Sequence, residues 1–186
     1  MTERQQLMHA LLIIDIQNDY FPRGKFELVG AVQALEQVKA VLSRFREKGA
    51  PVIFVQHINA SPDAPFFVPN TFGAEIHPDI APLSNEPVVV KHTPNSFFQT
   101  NLLELLRAKK VSEMVVCGMM THMCIDTTVR AAKDHGLPVT LLYDACATRD
   151  LTMMERFLPA AVVHDAYMAG LNGTFAEIKL ASQLEA

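Results

Sequence analysis

The sequence predicts an α/β fold, a doubly wound and mainly parallel six-stranded sheet with helices on both faces. Three observations predict it. Short continuous apolar runs, such as residues 10–14 and 88–90, have the composition of strands buried on both faces. Between them lie stretches whose apolar residues recur at helical spacing. The two kinds alternate along the chain, the order that builds a parallel sheet through crossover helices. At 186 residues the chain suits one domain spanning 1–186, a Rossmann-like three-layer sandwich.

Residues 10–16 form the first predicted strand, apolar throughout until Asp15 and hence central. Residues 18–25 are a loop holding Pro22 and Gly24. Over 29–48, Val32, Leu35, Val38, Val41, Leu42 and Phe45 share one helical face, and Gly49 is the stop. Residues 51–55 are the second strand. The segment 56–87 differs: it carries Pro62, Pro65, Pro69, Pro78, Pro82 and Pro87, with Phe66, Phe67, Phe72, His57 and His77 among them. A loop that long is unusual, and it is either a surface excursion packing its own aromatics or the wall of a pocket. Residues 88–91 are the third strand and 99–109 a helix built on Leu102, Leu103, Leu105 and Leu106. Then come a strand at 114–117, a helix at 123–135, a strand at 138–143, a helix at 160–171 and a sixth strand at 174–180, with 181–186 as a polar end.

Composition narrows the function. Apolar residues make up 49% of the chain and charged residues 19%, so it is globular and not disordered. Sixteen basic and twenty acidic residues are mixed, for a net charge of −4, and no basic stripe points to nucleic acid. No apolar stretch reaches the ~20 residues that span a bilayer, so no membrane partner is expected. The amino-terminal apolar run is short and ends in Asp15, unlike a signal peptide. Cys117, Cys124 and Cys146 form neither a CxxC pair nor an even disulfide framework, which fits a reducing compartment and a cytoplasmic location.

The chemistry centres on Cys124. It falls near the start of the helix after the fourth strand, where the helix dipole favours a thiolate and free amides suit an oxyanion. A cysteine picked at random is more often a buried structural thiol. Asp15 and Lys91 change that weighing, since each ends a strand on the edge where open α/β sheets place their ligands. An Asp, a Lys and a Cys on one edge supply a base, a cation and a nucleophile. Cys117 and Cys146 have no such neighbours and suit the core.

The blocks LLIIDIQNDYF, VVVKHTPNSFF and VVCGMMTHMCIDTTVRAA together resemble the isochorismatase-like cysteine hydrolases, which include nicotinamidases. The blocks occur in the family's order, and the resemblance covers nearly the whole chain. It implies a catalytic triad of Asp15, Lys91 and Cys124, an oxyanion hole from the backbone amides of Met120 and Cys124, and a cis peptide at Met119–Met120. It implies a small-molecule substrate, no organic cofactor, and a homo-oligomer, dimer or tetramer. The implied reaction is hydrolysis of a small amide or related C–N bond through a Cys124 thioester. Isochorismatase-type vinyl-ether hydrolysis does not require the cysteine, so it is the alternative enzyme reading. A non-catalytic small-ligand binding module on the same scaffold is the third.

No metal is expected. HEXXH is absent, and where nicotinamidases carry an Asp-x-His metal motif this chain reads Gln56-His57-Ile58-Asn59. Phe21, His57, Phe97, Met119 and His122 are the expected pocket residues, with Phe98 and Met120 beside them. Each of these apolar residues is equally suited to the core. No arginine accompanies the three blocks as a carboxylate clamp, which disfavours dianionic isochorismate.

Overall fold

In the computed structural model, which describes residues 8–61 and 63–184, the strands in chain order are β1 (His9–Ile14), β2 (Val52–His57), β3 (Val88–Lys91), β4 (Glu113–Met119), β5 (Val139–Ala147), β6 (Leu151–Met153), β7 (Arg156–Leu158) and β8 (Glu177–Lys179). The helices are α1 (Ala31–Glu47), α2 (Leu102–Ala108), α3 (Asp126–Asp134) and α4 (Ala160–Leu171). Six strands form one sheet in the order β3-β2-β1-β4-β5-β8, and every neighbouring pair runs parallel. The remaining two, β6 and β7, form a separate antiparallel hairpin.

Successive residues of β1 point to opposite faces, and the helices divide accordingly. Leu11 and Ile13 pack with Ala34, Val38 and Val41 of α1. Ala10, Leu12 and Ile14 pack with Leu102 and Leu106 of α2, Val129 of α3 and Met168 of α4. The predicted sandwich with helices on both faces is therefore the observed one. Strand order runs outward from β1 through β2 to β3, then from β4 through β5 to β8 on the other side. The sheet thus switches direction between β1 and β4, and such a switch opens a crevice at the carboxyl ends of the strands.

One glycine sets how closely β1 and β4 approach at that crevice. Gly118 pairs with Ile14 and holds φ at 131°, and a Cβ there would lie 2.0 Å from the Ile14 carbonyl oxygen. No side chain fits in that space. One peptide bond further on, Met119–Met120 is cis, as the family resemblance implied.

Element boundaries shift in physically readable ways. The helix expected at 29–48 begins at Ala31, because Val29 bridges to Thr148 and Gly30 takes a left-handed φ of 78°. The sixth strand, expected over 174–180, shortens to β8, and Ala176 instead bridges to Asn172. Both β4 and β5 run on past their expected ends, to Met119 and Ala147. The β6–β7 hairpin was not anticipated: its turn places Met154 at φ 47° and Glu155 at φ 64°, without the Asn-Gly or Asp-Gly pair that marks such turns in a sequence. Residues 1–7 of the predicted domain and the last two of its polar end lie outside the described residues. Among the described residues no helix is long and apolar enough to cross a membrane.

The Gly118 contact makes a stability prediction. Gly118→Ala combines a strained φ with a backbone overlap and should destabilise the fold by about 2–4 kcal/mol. Urea unfolding measures it, and a loss under ~0.5 kcal/mol, the range of an ordinary surface change, would refute the close approach.

Candidate active site

Three strand ends bring the acid, the cation and the thiol together. Asp15 follows β1 with a left-handed φ of 52°, a costly conformation for a residue with a Cβ, and its amide donates to the Val55 carbonyl at 3.0 Å. Lys91 closes β3, two strands away, and its long side chain crosses to the switch point. Cys124 lies in a wide single turn, Thr121–Ile125, just before α3. The Met120 carbonyl accepts from the amides of Met123 and Ile125, which fixes that turn on the end of β4. A further tie joins the segment after β3 to α3: the Ser96 amide and the Thr128 hydroxyl, both buried, are bonded at 3.1 Å, and Thr128 Oγ1 donates to Ser96 Oγ at 2.9 Å.

The Lys91 ammonium is the hub. Its Nζ lies 2.7 Å from Asp15 Oδ2, with both side chains wholly buried, and donates to Cys124 Sγ at 3.1 Å and to the Thr93 carbonyl at 3.1 Å. His57 Nδ1 is 2.9 Å away, so it accepts and the ring carries its proton on Nε2. Apart from the ion pair, neither Asp15 oxygen has a hydrogen-bond partner among the described residues. The carboxylate therefore has lone pairs free for a proton.

Burial and charge set the resting protonation states. Burial works against the Lys91 charge, but the Asp15 carboxylate and Cys124 hold its pKa above the ordinary lysine value. Burial and the Lys91 charge push His57 down to about 4, so it is neutral. Burial, with the Asp15 charge behind it, pushes the Cys124 thiol far up against the opposing pull of Lys91. This corrects the expectation of a thiolate favoured by the helix dipole. Cys124 is only 4% exposed and faces a buried carboxylate, and desolvation outweighs a dipole worth at most ~2 kcal/mol. The site holds a thiol poised beside a proton acceptor.

Asp15, His57 and Cys124 are the group of potential metal ligands that converges among the described residues, their donor atoms all within 4.8 Å of one another. The ammonium of Lys91, 2.7–3.1 Å from each of the three, stands where an ion would have to sit. Gln56 turns its amide to the Ala74 carbonyl and Asn59 to that of Phe66, so neither neighbour of His57 completes a metal site. The arrangement does not fit a bound metal.

The long segment 56–87 is a wall built on the chain's own residues 17–26. Gln17 Nε2 donates to the carbonyls of His57 and Ala74, and the His57 amide donates back to Gln17 Oε1, each at 2.8 Å. Asn18 Nδ2 donates to the Phe72 carbonyl, and Asp19 Oδ2 accepts the Phe67 amide at 2.7 Å. These bonds seat Phe66 and Phe67 against Tyr20 and Phe26 in one aromatic cluster, with Phe67 also near His57.

Of the expected pocket residues, His57 stands in the site itself. His122 is on the turn with Cys124, its Nδ1 bonded to the Thr148 hydroxyl. Met119 is fully buried on the α1 side of the sheet. Phe21 packs on His77, and Phe97 on His135 at the far end of α3 from Cys124, while Phe98 is exposed. Two residues of the adjoining wall escaped the sequence reading. Tyr20 is buried in the aromatic cluster, its ring 4.6 Å from that of Phe67. Arg149 lies over the Phe26 ring at 5.1 Å, and its charge bears on both Tyr20 and His122. Arg149 follows β5, 25 residues past Cys124, and only adjacency of the strand ends brings it near; that strand-end position was the available signal.

Comparison with known proteins agrees with this geometry. The family model described as the isochorismatase domain matches residues 9–173. The chain is 53% identical over 170 residues to the uncharacterized isochorismatase family protein YddQ of Bacillus subtilis, covering 91% of this chain and 94% of that one. It is 34% identical over 179 residues to a streptothricin hydrolase of Streptomyces noursei, covering 96% of this chain and 61% of the relative. Among solved structures, one from Oleispira antarctica described as an isochorismatase hydrolase superposes with a TM-score of 0.94 at 43% identity, over 99% of this chain and 98% of that one.

The His57 environment predicts a pH dependence of stability. Between about 4 and 6.5 the unfolded imidazole binds a proton that the folded one does not, so the unfolded state gains as pH falls. The His57 contribution is thus full above pH 6.5 and is lost toward pH 4. Urea unfolding across that window should show a steeper loss for the wild type than for His57→Gln, and parallel profiles would refute the buried neutral ring.

Proposed function

The chain belongs to the isochorismatase family, and we propose that it is a cysteine hydrolase cleaving a small-molecule amide or related C–N bond. The observation that carries this reading is the buried Lys91 ammonium, held between Asp15 at 2.7 Å and Cys124 at 3.1 Å. Asp15 takes the thiol proton as Cys124 Sγ attacks the substrate carbonyl carbon. Lys91 stabilises the sulfur as it loses that proton, and keeps the carboxylate in place. The backbone amides of Met120 and Cys124 receive the oxyanion. Asp15 then returns the proton to the departing nitrogen, leaving a Cys124 thioester. Water, deprotonated by Asp15, adds to the thioester and releases a carboxylic acid with the thiol restored. Protein groups and water balance every step, so the proposal includes no cofactor or metal.

Vinyl-ether hydrolysis needs an acid but no nucleophile, and a ligand-binding module needs neither. A thiol bonded to a cation that also holds a proton acceptor favours the acyl-transfer reading over both. The relative from Streptomyces noursei, named for hydrolysis of streptothricin, is in keeping with it. The three cysteines are all free, which supports a place in the reducing cytoplasm.

The test is a turnover screen over small amides, carbamates and isochorismate, followed by alanine variants on the best substrate. Asp15→Ala, Lys91→Ala and Cys124→Ala should each lower kcat by ~10³-fold or more, with little further loss in double variants, because the three act as a unit. EDTA should leave turnover unchanged. Losses that multiply, abolition by EDTA, or isochorismate as the preferred substrate would each overturn the reading.

We infer also that the chain assembles with copies of itself as a dimer or tetramer. Met153, Met154 and Phe157 of the β6–β7 hairpin are 62%, 88% and 64% exposed, a concentration of apolar surface that supports an interface. Sedimentation should give a multiple of 20.6 kDa, shifted toward the monomer by Phe157→Asp, and a wild-type monomer would refute the assembly.

A further inference from the structure

Four acceptors crowd the Lys91 ammonium, which has three protons to give. Asp15 Oδ2 lies 2.7 Å from Nζ, His57 Nδ1 2.9 Å, Cys124 Sγ 3.1 Å and the Thr93 carbonyl oxygen 3.1 Å. The cluster is closed to water: the side chains of Lys91 and Asp15 are wholly buried, and that of His57 is 12% exposed. Two of these acceptors change during the proposed reaction. Cys124 loses its proton and becomes bonded to an acyl carbon, and Asp15 gains a proton in each half of the cycle. His57 and the Thr93 carbonyl change in neither half, and of the two only His57 accepts through its side chain.

His57 is held so that its ring cannot drift from Lys91. It ends β2 in register with Lys91 at the end of β3, and paired residues of neighbouring strands project to the same face. Its amide donates to Gln17 Oε1 and its carbonyl accepts from Gln17 Nε2, each at 2.8 Å. The ring itself lies 6.0 Å from that of Phe67. An ammonium has no lone pair, so Nδ1 can only accept from it. The same nitrogen is 3.9 Å from Asp15 Oδ2, beyond hydrogen-bond reach, so Asp15 does not compete for it.

We propose that His57 is a positioning residue that keeps the Lys91 ammonium in place while Cys124 carries the acyl group. The proposal deepens the amide-hydrolase reading and rests on it. In the free enzyme the Asp15 carboxylate is enough to hold Lys91. During attack the sulfur gathers negative charge and takes a Lys91 proton itself. In the thioester the sulfur is uncharged, its lone pairs are drawn toward the acyl carbonyl, and it accepts poorly. When Asp15 then takes a proton from the attacking water, it loses the charge that held Lys91. Both changing acceptors are then at their weakest, and a buried ammonium left without partners is strongly disfavoured. His57 Nδ1 and the Thr93 carbonyl keep it in place, ready for the sulfur as it departs. Loss of Nδ1 therefore falls on thioester hydrolysis and spares the attack by the thiol.

The test uses p-nitrophenyl acetate and the full chain. Attack forms the Cys124 S–C bond and breaks the ester C–O bond; p-nitrophenolate leaves and the thiol proton passes through Asp15 to water. Water then cleaves the thioester to acetate and the thiol. The first turnover of p-nitrophenolate reports acylation, and loss of acetyl from Cys124, followed by mass spectrometry after acid quenching, reports hydrolysis. In His57→Leu the first turnover should stay close to wild type. Acetyl loss should slow by about tenfold or more, the effect of one hydrogen bond from a charged donor. His57→Asn places an oxygen near the position of Nδ1 and should recover most of the lost rate. His57→Gln reaches the Nε2 position instead and should be as slow as His57→Leu, so the comparison survives if the leucine variant does not fold. Iodoacetamide should alkylate Cys124 in all three variants at the wild-type rate, since Asp15 still holds Lys91 before any acyl group is present. Equal slowing of acylation and hydrolysis, a His57→Asn rate no better than His57→Gln, or slowed alkylation overturns the positioning role alone. If the wild type forms no acetyl-Cys124, the cysteine-hydrolase reading falls and takes the role of His57 with it.

Discussion

The Lys91–Asp15 ion pair is the interaction on which the rest of the site depends. Both side chains are fully buried at 2.7 Å, and two charges taken out of water persist only when each satisfies the other. Lys91 therefore cannot leave Asp15, and its remaining protons are shared among Cys124, Thr93 and His57. Through them the ion pair fixes the thiol, and through His57 it anchors the start of the long wall. Removing either charge leaves the other buried and alone, so position and protonation are set by one contact.

The fold makes that contact available by placing it at the switch in strand order. Asp15 ends β1 and Cys124 follows β4, which are neighbours in space although 109 residues apart in sequence. Gly118 lets those two strands approach beyond what a side chain would permit, so the turn holding Cys124 sits directly over the end of β1. The other boundary is polar backbone bonding. Gln17, Asn18 and Asp19, which follow Asp15 and Ile16, hold the 56–87 segment by its main chain. A loop with so many prolines forms few hydrogen bonds with itself, and here side chains from the 17–19 segment supply them.

For the proposed reaction, the resting thiol decides between two modes of nucleophile activation. A standing thiolate needs exposure or an excess of positive charge, and this pocket has neither once Asp15 has neutralised Lys91. Deprotonation coupled to attack suits a closed pocket, because no isolated anion is formed before substrate arrives. The same enclosure separates Cys124 from Cys117 and Cys146. All three are buried, but Cys124 alone has a cation bonded to its sulfur.

The sheet and its helices were legible in the amino-acid order because buried strands and amphipathic helices carry local periodicity. The convergence of Asp15, Lys91 and Cys124 was legible because Asp15 and Lys91 end their apolar runs abruptly and Cys124 stands between a strand and a helix. Local pattern could not show what depends on distance across the chain. The β6–β7 turn uses Met154 and Glu155 in a conformation neither residue favours, so its signal was absent. Phe21 and Phe97 have the composition of pocket residues, yet their packing on His77 and His135 is decided by which elements touch. Sequence alone determined the fold class and picked out the candidate acid, cation and thiol, which are properties of residue type and short-range order. Tertiary structure alone decided their protonation states and the shape and charge of the wall, because desolvation and Coulomb fields depend on every atom packed nearby, not on neighbours along the chain.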